Sequence, residues 1–354
     1  MANREVSIGG RKIGLAHPPY VIAEMSGNHN GNLDRALKLI DAAKAAGADA
    51  VKLQTYTADT ITLNHKSPDF LIEGGLWDGR YLYELYEEAH TPWSWHKTLF
   101  DHARGLDLPI FSSPFDFTAV DFLAELGVPA YKIASFEAID LPLVEKAAQT
   151  GRPLIISTGL ADLGEVEDAV TVARNAGNDE LIVLHCVSGY PTPMEDCNLA
   201  CITHLAETFD VITGFSDHTL GVHAAIAATA LGACVIEKHL TLSRADGGPD
   251  AAFSLEPADM AVLIAGCREA WAARGRIDYS QKGSEKANAK FRRSLYAVVD
   301  IAAGEILTPQ NIRSIRPGYG LAPRYLPEVM GRRAGSFIAR GTPLSWPLIG
   351  DEQA

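Results

Sequence analysis

Eight short apolar runs, at residues 20–24, 51–54, 109–112, 130–133, 153–157, 181–185, 211–214 and 234–237, punctuate the chain at intervals filled by amphipathic stretches. The runs are continuous rather than alternating, which is the pattern of parallel strands buried on both faces. Residues 33–46, 119–126, 141–150, 165–175 and 224–231 carry helical spacing, with Gly47, Gly127, Gly151 and Gly232 at or just past their ends. Eight strand–helix repeats over about 270 residues fit a closed (β/α)8 TIM barrel, an α/β fold, better than an open sheet.

Two segments break the rhythm. Residues 57–89 are too long for a plain strand-to-helix loop, and their Gly74-Gly75-Leu76-Trp77 turn and aromatic-rich helix at 81–86 mark an ordered insertion at the rim. It reads equally as a packing elaboration or as a lid over a substrate. After Trp271 the chain turns polar, so that residues 1–275 form the expected catalytic barrel and residues 276–290 a linker. Residues 291–354 hold short strands and Gly/Pro turns such as Arg316-Pro317-Gly318 and Arg340-Gly341-Thr342-Pro343, the pattern of a small, mainly β domain.

A length of 354 residues, 47% apolar and 21% charged, allows one large domain and one small one. The net charge of −13 argues against nucleic-acid binding, which depends on clustered Lys and Arg, but leaves room for a small anion in a local basic pocket. No apolar stretch reaches the roughly 18 residues of a membrane span, and the start, Met1 to Glu5, lacks a signal core. A cytoplasmic enzyme is the expectation. Five scattered cysteines read as reduced thiols; Cys197 and Cys201 have a metal-like spacing, but the residues between them read as a helix start.

A barrel collects the residues at its strand C-termini whatever their distance in sequence. Glu24 ends the first strand, with Ser26, Asn28, His29 and Asn30 after it; Lys52 and Gln54 alternate onto one face of the second. The other strands bring Ser112 to Asp116, Lys132, Ser135 and Glu137, then Ser157, His185, Ser188 and Tyr190, and finally Ser216, His218, Glu237 and His239. Lysines inside barrel strands are costly to bury unpaired, so Lys52 and Lys132 imply either a bound anion or carboxylate partners; a Schiff-base role is the competing chemistry. Taken singly, each histidine reads as a structural group. Two imidazoles on neighbouring strands at one rim read as a pair able to hold one divalent metal.

Ile22-Ala23-Glu24-Met25-Ser26-Gly27-Asn28-His29-Asn30, Val51-Lys52-Leu53-Gln54-Thr55, Tyr131 to Glu137, Tyr190-Pro191-Thr192-Pro193, Phe215 to Thr219 and Ile236-Glu237-Lys238-His239 resemble motifs of the N-acetylneuraminate (sialic acid) synthase family. The likeness spans the chain, and the C-terminal module is similar to the antifreeze-like SAF domain of these enzymes. Gly74 to Asp78, Leu82 to Tyr86 and Arg293 to Tyr296 resemble the pseudaminic acid branch most closely. Sialic acid synthases commonly carry Asn where this chain has Ser188, a departure that also fits a non-sialic branch.

The resemblance implies a transferase that condenses phosphoenolpyruvate with the open-chain aldehyde of an acylamino sugar and releases phosphate. For the pseudaminic branch that sugar is 2,4-diacetamido-2,4,6-trideoxy-L-altrose. It further implies a divalent metal, manganese first and magnesium or cobalt as alternatives, on His218 and His239, with Glu237 behind them and Glu24 handling the attacking water. Lys52, Lys132, Ser135, Ser157, Ser188, Tyr190 and Ser216 are the implied phosphoenolpyruvate ligands, and Gln54, Glu137 and Asp250 the implied sugar contacts. Arg316 is expected to reach the partner's sugar site in a domain-swapped homodimer. Sialic and legionaminic acid synthesis, a metal-dependent aldolase, and a carbohydrate-binding or ice-surface protein are the alternatives.

Overall fold

In a computed structural model, residues 4–350 are described. Residues 1–3, at the start of the stretch read as lacking a signal core, and residues 351–354, at the end of the expected SAF domain, lie outside the described residues. The chain divides into two compact units after Gly275.

The first unit is a closed parallel barrel of eight strands. An antiparallel hairpin, β1 (Val6–Ile8) and β2 (Arg11–Ile13), precedes it. The barrel strands are β3 (Tyr20–Glu24), β4 (Ala50–Thr55), β5 (Ile110–Pro114), β6 (Tyr131–Ile133), β7 (Leu154–Ser157), β8 (Leu181–Cys186), β9 (Ile212–Asp217) and β10 (Val235–His239). Pairing of β10 with β3 closes the ring. Apart from Gln54, every residue of these eight strands is buried, because helices cover the outer face and opposite strands fill the inner one.

The helices follow from the same local chemistry. Leu33–Ala46 starts where the Asn32 side chain accepts the Arg35 N–H, buries Ala36, Leu39, Ile40 and Ala43 along one stripe, and stops at Gly47, whose φ of 89° is left-handed. Phe117–Leu126 is capped by Asp116, and Leu163–Asn175 by a reciprocal Asp162/Glu165 box.

The hairpin β1–β2 went unread in the sequence because three-residue strands carry too little periodicity. It sends Val6, Ile8 and Ile13 into the barrel's core. The last two barrel strands run further than their apolar runs predict, since Ser216, Asp217, Lys238 and His239 continue the strands as buried polar residues. No helix among the described residues is long and apolar enough to cross a membrane.

In the second unit, β11 (Ser294–Ala297) pairs antiparallel with β12 (Ile312–Ile315), and bridges such as Ile301–Ile338 and Ile306–Arg333 extend the β character. Leu295, Ile301, Leu307, Ile312, Val329 and Ile338 belong to its own core. The segment read as a linker contains a 3-10 stretch, Gly283–Phe291.

Candidate active site

Alternation along β10 turns Glu237 and His239 into the barrel and Lys238 outward. His218 follows β9 directly, and its ring centroid lies 5.5 Å from that of His239. Phe253 packs edge-on against both imidazoles, at 5.9 Å from His218 and 4.8 Å from His239. Behind them, Lys238 and Asp217 are register partners joined by a 2.9 Å ion pair with neither side chain exposed. Asp217 accepts the Thr219 N–H at 2.8 Å and Lys238 donates to the Thr219 carbonyl, so the turn after His218 is held from the outer layer.

The floor of the site is a four-membered charge cluster. Lys52 Nζ lies 2.6 Å from Glu24 and 3.7 Å from Glu237, and Lys132 Nζ lies 3.7 Å from the same Glu237 oxygen. Lys52 also donates to Ser113 at 3.3 Å and Ser216 donates to Glu237 at 3.2 Å. The lysines therefore have carboxylate partners, one of the two outcomes their burial required. Burial pushes the Glu24 carboxyl up to about 7 against the pull of Lys52. Burial also pushes Glu237 up, but Lys132 and Lys52 outweigh it and the net displacement is downward. Glu237 Oε2 is buried without a hydrogen-bond partner.

A divalent cation fits the imidazole pair on the chemistry of its donors. His218 Nδ1 lies 3.1 Å from the Val187 carbonyl; a carbonyl only accepts, so Nδ1 carries a proton and Nε2 is the ligand atom of the neutral ring, although burial's downward push on this imidazole is outweighed by Cys186 and the Val187 carbonyl, which shift it upward. His239 Nδ1 is buried with no hydrogen-bond partner, 3.8 Å from Asp250 Oδ2. Burial, then His218 and Lys52, hold His239 well below its ordinary range, which keeps it neutral as a ligand must be. Among the described residues no group of three or more His, Cys, Asp or Glu gathers as a metal cage, so a cation here would rest on the two imidazoles.

Next to this floor, at the ends of β6 to β8, lie small hydroxyls. The Ser157 and Ser188 hydroxyls are buried without a hydrogen-bond partner at normal bonding distance in the protein, which leaves them free to donate to water or to an oxyanion. Ser135 Oγ accepts the Gly159 N–H at 3.1 Å. A Cβ at position 159 would run into Ser188 Oγ and lie 2.8 Å from Ser135 Oγ, so only glycine lets the three approach. Carboxylates and aromatics share the same rim. Glu137 Oε2 is buried and unpartnered, and burial drives its carboxyl to about 7. Asp250 is likewise pushed upward by burial. Tyr190 lies 4.5 Å from the His218 ring and 5.3 Å from Phe253.

Several rim residues turn away. His185 bonds the Cys197 carbonyl at 2.7 Å, while Asn28 donates to Leu240 O and Ser254 Oγ; both are structural. His29 packs edge-on against Trp95. Arg316 belongs to the C-terminal unit, where it is exposed. Sequence reasoning missed Cys186, whose sulfur lies 3.8 Å from His218 Nδ1, along with Gly159 and Phe253. Strict alternation down β8 carries a signal for the first, since it separates Cys186 from His185. Nothing local marks the other two.

A family model described as the NeuB family matches residues 39–279, and one described as the SAF domain matches residues 292–349. The chain is 45% identical to a pseudaminic acid synthase of Helicobacter pylori over 94% of this chain and 98% of the relative. It is also 45% identical to a pseudaminic acid synthase of Campylobacter jejuni, over 92% of this chain and 95% of the relative. Among solved structures, the N-acetylneuraminic acid synthetase of Leptospira borgpetersenii in complex with citrate superimposes with a TM-score of 0.74 at 31% identity, covering 82% of this chain and 96% of that one.

Proposed function

The chain belongs to the NeuB family, and from that premise we propose that it is a pseudaminic acid synthase, a transferase that joins phosphoenolpyruvate to 2,4-diacetamido-2,4,6-trideoxy-L-altrose. The observation that carries the reading is one rim holding two buried lysines, unpartnered serine hydroxyls and an imidazole pair. The 45% identity to pseudaminic acid synthases over most of the chain favours this sugar over sialic and legionaminic precursors.

In this reading Lys52, Lys132, Ser135, Ser157, Ser188, Tyr190 and Ser216 bind phosphoenolpyruvate. Its anionic charge would lie beside a cluster whose lysines Glu24 and Glu237 already balance, and the serine hydroxyls donate to its oxygens. Gln54, Glu137 and Asp250 orient the sugar so that its aldehyde carbon meets C3 of phosphoenolpyruvate. A divalent cation, manganese before magnesium or cobalt, would be held by His218 and His239 and supplies Lewis acidity toward the aldehyde.

As C3 bonds to the aldehyde carbon, the carbonyl π pair moves to the aldehyde oxygen, which takes up a proton, while C2 becomes electron-poor and water adds there. Glu24, with its carboxyl at about 7, positions that water and accepts its proton. The C2–O bond then breaks, phosphate leaves with the bonding pair, and a 2-oxo acid remains. Glu237 holds Lys52 and Lys132 in place, and in this reading would also back His239. A homodimer in which Arg316 of one subunit reaches the sugar of the other belongs to the same reading.

The test is phosphate release from phosphoenolpyruvate with the altrose sugar and with the sugars of the sialic and legionaminic branches, with and without chelator. Release is expected with the altrose sugar and lost on chelation. Faster release with another sugar moves the chain to that branch, and product without phosphate release points to an aldolase. His239→Ala is expected to abolish turnover while the circular dichroism spectrum is kept; full activity at ordinary manganese concentrations refutes its role.

A further inference from the structure

The insertion at 57–89 is built to hold one indole still. Leu71 and Tyr81 form an antiparallel bridge. The Ile72 N–H donates to the Arg80 carbonyl at 2.8 Å and the Gly79 N–H to the Ile72 carbonyl at 2.9 Å, which closes the loop between them. Inside that loop Asp78 Oδ1 accepts the Gly74 N–H at 2.5 Å, and Arg80 anchors the loop to Glu88 of the helix Leu82–Ala89 at 2.6 Å. These contacts tie the loop to itself and to the helix that follows it.

The residue it presents is Trp77. Its Nε1–H donates to the Pro249 carbonyl at 2.9 Å, one residue before Asp250, and its ring centroid lies 5.3 Å from that of Tyr190. The indole therefore touches both loops that flank the imidazole pair, the one after β8 and the one after β10. Its only polar atom is committed to Pro249, so it has carbon surface alone to offer. The same insertion brings Tyr86, edge-on to Tyr56 at 5.8 Å and near enough to Glu137 for that carboxylate to raise the phenol's pKa beyond the effect of burial.

We propose that Trp77 is a specificity-determining residue: its indole forms an apolar wall beside Asp250, a sugar contact in that reading, selecting an acylamino sugar whose tail ends in methyl over one ending in hydroxymethyl. The proposal rests on the pseudaminic acid synthase reading. A methyl packed on the indole face gives up no hydrogen bond, whereas a hydroxyl pressed there loses its water and gains no partner. Apolar walls discriminate such pairs by roughly ten- to a hundredfold in kcat/KM.

The experiment compares kcat/KM for 2,4-diacetamido-2,4,6-trideoxy-L-altrose and for its 6-hydroxy counterpart, with KM for phosphoenolpyruvate measured alongside. Wild-type protein is expected to favour the deoxy sugar by about tenfold or more. Trp77→Ala is expected to bring that ratio to within about threefold of unity, with KM for phosphoenolpyruvate held within about twofold. Trp77→Phe, which keeps an aromatic face and loses the bond to Pro249, is expected to retain most of the preference. An equal loss on both sugars in Trp77→Ala, or Trp77→Phe behaving like Trp77→Ala, overturns the proposal and leaves the function standing. Wild-type turnover of neither sugar overturns both.

Discussion

Glu137 shows what burial does to one carboxyl. It sits among Lys132, Lys52 and Asp140, and burial dominates these charges to lift it from 4.5 to about 7. A carboxyl raised in this way favours the folded state in its neutral form. The stability it contributes is fully present below about pH 4.5 and is lost as pH rises through about 7. The shift corresponds to a ceiling of about 3 kcal/mol, and solvent screening of a partly exposed group lowers this to about 1–2 kcal/mol. Glu137→Gln cannot ionise, so its melting temperature should fall less than that of the wild type between about pH 5 and about pH 8. Parallel melting curves for the two proteins over that range would show that Glu137 titrates normally.

At the level of the elements, His218 follows β9 directly and His239 ends β10, and the cross-strand pair of Asp217 and Lys238 locks the ends of these strands from the outer layer. Removing one partner of a fully buried pair leaves an uncompensated charge, which costs about 3–5 kcal/mol, whereas an apolar replacement of both is often close to neutral. Lys238→Met should therefore lower the urea midpoint sharply, and Asp217→Leu combined with Lys238→Met should recover most of the loss. If the double variant is no more stable than the single one, the Thr219 hydrogen bonds rather than charge balance hold this corner.

At the scale of the whole molecule, the described residues form two cores that share no residue. Leu307 is fully buried in the smaller one, and its replacement by Ala should cost about 2–5 kcal/mol. Hydrogen exchange of Leu307→Ala should then speed up across residues 294–349 while the barrel strands keep their protection; equal loss in both units would show that they unfold together. The sequence by itself determined the barrel. A parallel strand covered on both faces must be apolar along its length, so each strand announces itself locally, and strand order alone places His218 and His239 at one rim. Tertiary structure decided who meets whom there. The carboxylates balancing Lys52 and Lys132, the choice of Cys186 over His185 to face His218, and the reach of Trp77 to Pro249 join residues that lie far apart in the chain or swap places by a single step of alternation. Such pairings exist only once the barrel closes, because closure rather than local propensity sets which strand ends share a rim.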